Sequence, residues 1–66
     1  MDCQLAFVSE DKIIEVARRL VVIPRIGERL SVEYSGIMLS GIVLDIEHRY
    51  TDASQSILID VRLERN

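Results

Sequence analysis

The chain has 66 residues, with 8 Lys and Arg against 11 Asp and Glu. Its net charge of -3 and pI near 4.9 leave no general basic excess of the kind that drives nucleic-acid binding through counterion release. A single cysteine, Cys3, excludes an intramolecular disulfide, and with one histidine it cannot build a structural zinc site. A chain this short buries only about 60% of the surface its unfolded form exposes, so its stability is marginal and it would gain from an oligomer.

Cys3 to Val8 sets Cys3, Leu5 and Phe7 against Gln4, Ala6 and Val8, which predicts a first strand whose second face is partly covered. Ser9 changes the period. From Glu10 to Val21 the apolar residues Ile13, Ala17, Leu20 and Val21 follow helical spacing, while Asp11, Lys12, Glu15, Arg18 and Arg19 take the other side. This predicts a helix over residues 10–21, with Ser9 as its cap, Glu10 and Asp11 in its positive first turn and Arg18 and Arg19 in its negative last turn. The competing reading is a strand from Ile13 onward, hairpinned to the first, because Ile and Val favour β structure. The lack of apolar alternation over Glu15 to Arg19 favours the helix.

Pro24 turns Ile23 away from helical geometry, and Arg25 to Glu28 form a turn into the next strand. Three runs then alternate with period two: Leu30, Val32 and Tyr34; Ile42, Leu44 and Ile46; Ile57, Ile59, Val61 and Leu63. They predict strands over Arg29–Glu33, Ile37–Arg49 and Gln55–Glu64, the first two joined by a tight turn at Ser35-Gly36 and the last two by a polar loop from Tyr50 to Ser54. Gly41 inside the long strand signals a bend or bulge that lets it serve both halves of a curved wall. The whole chain, 1–66, is thus expected to be one α+β, mainly β domain: a small, strongly bent antiparallel barrel with one helix, in the order β-α-β-β-β.

Gly41, Val43, Ile46, Glu47, Tyr50 and Thr51 fall at the spacing of the first motif of the Sm-like proteins, which this stretch resembles. The resemblance implies a barrel that assembles into rings through its edge strands and binds single-stranded RNA at inner loops. The sequence departs from that pattern at Thr51, where the motif has asparagine, and at Glu47, where it has aspartate. The arginine-glycine pair of the second motif is not found. The turn after Ile23 followed by short strands also looks like the Src-homology-type barrels of short bacterial and mobile-element proteins.

His48 and Tyr50 share the parity of Ile42, Leu44 and Ile46, so they extend the buried stripe toward one end of the barrel; as a pair they offer a titratable ring and a stacking face. Asp45, Glu47 and Asp60 share the opposite face, but Arg49 and Arg62 lie there too, which reads as a solvated surface of cross-strand charge pairs before it reads as a metal site. Arg18, Arg19, Arg25 and Arg29 are the one concentration of positive charge, suited to phosphates or to acidic protein, with Glu15, Glu28 and Glu33 interspersed. With Phe7 and Tyr34 on buried parities, too few rings remain for a base-stacking platform. Cys3 reads as a small core residue.

No nucleophile stands beside His48 in any recognisable arrangement and no phosphate loop or cofactor motif is present, so no enzymatic activity and no cofactor are expected. The expected role is an interaction or assembly module that forms a homo-oligomer or takes a protein partner, with single-stranded RNA as the alternative. Among the consecutive apolar residues Ile37, Met38 and Leu39 at least one must face outward, and Met38 is the expected interface residue. The longest apolar run, Leu20 to Ile23, is too short to cross a bilayer, and a cytoplasmic location is expected.

Overall fold

A computed structural model describes residues 1–64, and every regular element in it is a strand: β1 (Asp2–Val8), β2 (Ile13–Arg19), β3 (Arg29–Tyr34), β4 (Ile37–Tyr50) and β5 (Gln55–Leu63). The strands form one sheet in the order β2-β1-β5-β4-β3, which curls into a half-barrel. β1 and β5 run parallel; the other three neighbours are antiparallel. The expected fold is therefore corrected on three counts. The helix over 10–21 does not form, the sheet is mixed where an antiparallel one was expected, and the order is all-β in place of β-α-β-β-β.

The helix loses to the strand for a local reason and a tertiary one. Ile13, Ile14 and Val16 are β-branched, and Ile14 and Val16 pair with Phe7 and Leu5 across the β1–β2 hairpin, extending a face that β1 has already made apolar. Ser9, the expected helix cap, instead ties the hairpin loop: its amide donates to Lys12 O at 2.9 Å and its hydroxyl to Asp11 Oδ1 at 3.1 Å. Ala17, Ile13 and Val21, three members of the helical stripe, all end exposed.

Cys3, Leu5 and Phe7 of β1, Val16 of β2, Val32 of β3, Leu39 and Val43 of β4, and Ile59 and Val61 of β5 make the core on the concave face. Leu20 and Ile23, from the connection between β2 and β3, are partly buried against it. Burying five large side chains almost completely, with Phe7 the largest, stabilises the fold by about 1.5–3 kcal/mol each.

β4 is the strand that bends the sheet. Its first half pairs with β3 through Ile42 and its second half with β5 from Gly41 onward, so Gly41 and Ile42 are held on both sides. A Cβ on Gly41 would lie 2.2 Å from the Arg62 carbonyl oxygen, which is why only glycine fits here. The bulge itself comes three residues later: Val43 pairs with Val61 and Asp45 with Asp60, leaving Leu44 as the extra residue. The bulge reverses the facing of everything after it. Leu39, Gly41 and Val43 face in before it and Ile46 after it, so Ile42 and Leu44, expected inside with Ile46, sit on the convex face.

Candidate interaction surface

The sheet ends at β2 on one side and β3 on the other, and the curl brings these two edges toward each other without a ladder between them. Hairpin geometry decides which main-chain groups each edge offers. Ser35 and Gly36 have φ of 50° and 82°, the left-handed pair of a two-residue turn that makes Tyr34 and Ile37 a hydrogen-bonded pair. Hydrogen-bonded pairs then recur at Val32 with Leu39 and Leu30 with Gly41, so the N–H and C=O of Arg29, Ser31 and Glu33 point away from the sheet. On β2 the reciprocal bonds of Met1 and Leu20, 2.8 Å each way, set the same count and leave Ile13, Glu15, Ala17 and Arg19 pointing outward.

Arg18 bridges the seam. It lies half-buried on the concave face beside Cys3, and its guanidinium donates to Ala17 O at 2.8 Å on β2 and to Glu33 O on β3. One side chain thus satisfies an outward carbonyl on each edge, with the stronger bonds a charged donor makes. On the convex face Arg29, Ser31 and Glu33 follow one another along β3, all exposed, with Leu30 and Val32 alternating inward. Arg29 is paired with Glu64 at 2.9 Å, and the Ser31 hydroxyl shares a 2.8 Å hydrogen bond with that of Ser40.

The arginines expected as a patch are separated and mostly engaged. Arg18 holds the seam, Arg19 pairs with Asp2 at 3.1 Å, Arg29 pairs with Glu64, and Arg25 sits in the connection with its amide donating to Glu28 Oε1 at 2.6 Å. Thr51 is engaged as well: its hydroxyl accepts the amide of Ser54 at 3.0 Å and of Ala53 at 3.3 Å, closing the β4–β5 turn. His48 and Tyr50, both exposed, line a cleft of about 210 Å³ with Met1, Asp2, Gln55, Ser56 and Ile57 at one end of the sheet. Of Ile37, Met38 and Leu39, Leu39 belongs to the core, while Ile37 and Met38 are more than half exposed at the hairpin end. Met38 stands opposite Glu33.

Asp45 and Asp60 are direct cross-strand neighbours, with Glu15 beyond Ala6 in the same row. Arg49 reaches Glu47 at 3.1 Å, and no group of three His, Cys, Asp or Glu side chains among the described residues is arranged to hold a metal ion. Burial pushes the Cys3 thiol above its ordinary range, which suits a core residue and not a reactive one. Among the described residues, no helix is long and apolar enough to cross a membrane.

The sequence marks Glu33 only as a charge among the arginines and Ser31 not at all, because two polar residues alternating with Leu30 and Val32 are the pattern of any half-wet strand. That the strand lies at an edge follows only from the sheet order. Compared with protein-family models, with curated proteins and with solved structures, the chain matches none.

Proposed function

We infer that this chain is a non-enzymatic assembly module that associates with copies of itself through an unpaired strand edge. The observation that carries this reading is the seam: a five-stranded sheet whose terminal strands keep outward main-chain donors and acceptors apart from Ala17 O and Glu33 O, which Arg18 holds, next to exposed Ile37 and Met38. An edge of this kind is a template for another strand, and a short chain with a small core gains stability by pairing it.

RNA has less support. The arginines that would meet phosphate are mostly held by Asp2, Glu64 and main-chain carbonyls, Thr51 is engaged in its own turn, and the convex face carries Glu15, Asp45 and Asp60 in one row. Sedimentation velocity across a concentration series on the order of 1 to 100 µM, with and without a uridine-rich oligonucleotide, tests both. The expected result is a mass above the 7.5 kDa of one chain that rises with concentration and is indifferent to RNA. A single-chain mass throughout, or a shift only with RNA, overturns the reading.

A further inference from the structure

We propose that the edge used is β3, and that it pairs antiparallel with β3 of a second copy about a two-fold axis at Ser31; this rests on the assembly reading above. The register follows from which groups are free. Arg29, Ser31 and Glu33 are the residues whose N–H and C=O point off the edge, and an antiparallel partner must meet outward groups with outward groups. Centring the pair on Ser31 does this at every position, with Glu33 O, which already accepts from Arg18, the one outward group that must accept a second bond. Ser31 faces Ser31 of the second copy, and Arg29 faces Glu33 on both sides of the axis, giving roughly six main-chain hydrogen bonds, two per pair.

Charge complementarity picks this register. All three side chains lie exposed on the convex face, so the two Arg29–Glu33 pairs stand directly across the new ladder, where opposite charges attract and like charges repel. The Arg29–Glu64 bond within each chain uses one terminal guanidinium nitrogen and leaves the others to a second carboxylate. On the concave side Leu30 meets Val32 of the second copy, which joins the two apolar faces at their rims.

The β2 edge is poorer for the same purpose. The one antiparallel register that opposes its charges, Glu15 against Arg19, centres on Ala17, whose carbonyl oxygen already accepts from Arg18. Arg19 is already paired with Asp2. On β3 the central residue, Ser31, keeps both its main-chain groups, and Arg18 reaches only Glu33 O, an oxygen with a second lone pair.

Charge reversal tests the register. By sedimentation velocity, Arg29→Glu and Glu33→Arg are each expected to weaken self-association roughly tenfold by placing like charges across the axis twice, and the double variant R29E/E33R to restore it. An equimolar mixture of the two single variants is expected to form a heterodimer, since every facing pair is then opposite. Ser31→Pro, whose outward N–H is not used within the chain, is expected to keep the far-ultraviolet spectrum and abolish association. Wild-type self-association that all these variants leave unchanged overturns the β3 register while the assembly reading stands. A wild-type chain that stays single at every concentration overturns both.

Discussion

Replacing Gly41 by Ala is the sharpest test of the packing at the bend, because its sign runs against the usual rule. Gly to Ala inside an ordinary strand stabilises by roughly 0.5–1 kcal/mol through lower chain entropy in the unfolded state. Here the new methyl would lie 2.2 Å from Arg62 O, 2.6 Å from Val61 Cγ1 and 2.9 Å from the Arg62 carbonyl carbon. Two of these atoms are backbone of β5, a strand held by β1 on one side and β4 on the other, and Val61 is fully buried. Relief needs a shift on the order of an ångström in a close-packed wall. That shift breaks the Gly41–Leu63 pairing and the bond from the Glu64 amide to Ser40 O, 2.9 Å long. Overpacking at about 1–3 kcal/mol and two or so lost ladder bonds at about 1 kcal/mol each outweigh the entropic gain and leave a net loss near 3 kcal/mol. A chain of this length has only about 3–10 kcal/mol in total, so the variant loses a large share of its stability. Urea denaturation followed by circular dichroism at one fixed low concentration keeps association out of the comparison. A midpoint equal to or above that of the wild type would refute the close approach.

Three further outcomes are expected. Burial raises the Cys3 thiol pKa above the ordinary 9.0, opposed by the N-terminal ammonium and helped by Asp2. The unfolded thiol therefore ionises first, and stability should fall as pH rises through 9 in thermal melts, with a shallower slope in Cys3→Ala; an identical slope in the two proteins would remove burial as the cause. Arg18→Ala removes the bridge between Ala17 O and Glu33 O at a half-exposed site, so global stability should change by less than about 1 kcal/mol while trypsin cleavage after Arg25 quickens; unchanged cleavage would mean that the guanidinium does not hold the seam. Thr51→Ala leaves the amides of Ala53 and Ser54 without their acceptor and should lower the melting temperature by about 4–8 °C, with Thr51→Ser retaining most of it.

The four segments with a period of two were legible because burying one face of a pleated strand requires that period, and β1, β3, β4 and β5 lie within a residue or two of where the alternation put them. The β2 segment was not. Ile13 to Arg19 places charges on both faces: Glu15 and Arg19 point to solvent on the convex side, and Arg18 on the concave side crosses the seam to β3. An inward arginine breaks the alternation that marks a strand, so the segment imitates a helix, and the contact that explains it is fifteen residues away. The bulge was half legible. Gly41 announced an irregularity in β4, yet the residue that slips is Leu44, because the glycine serves the close approach to β5 and the register changes only after Val43. From that single slip follow the outward facing of Ile42 and Leu44. The end cleft combines His48 and Tyr50 with Met1 and Asp2, a conjunction that only the parallel β1–β5 pairing creates.

The inequality of the two edges bears on the kind of assembly. If β2 and β3 were equally free, β2 of one chain could pair with β3 of the next, a head-to-tail contact that repeats without closing and leads to fibres. Arg18 breaks that equivalence. Its guanidinium belongs to β2 and occupies the carbonyl at the middle of that strand, whereas on β3 it reaches only Glu33 O, two residues from the centre. β3 keeps its central residue open, and its exposed Arg29 and Glu33 would oppose Glu33 and Arg29 of a second copy turned through half a circle. Pairing through one edge per chain stops at two. If β3 pairs with its own copy as proposed, the arginine that obscured β2 in the sequence also disfavours an open filament, because it occupies the central carbonyl of the other edge.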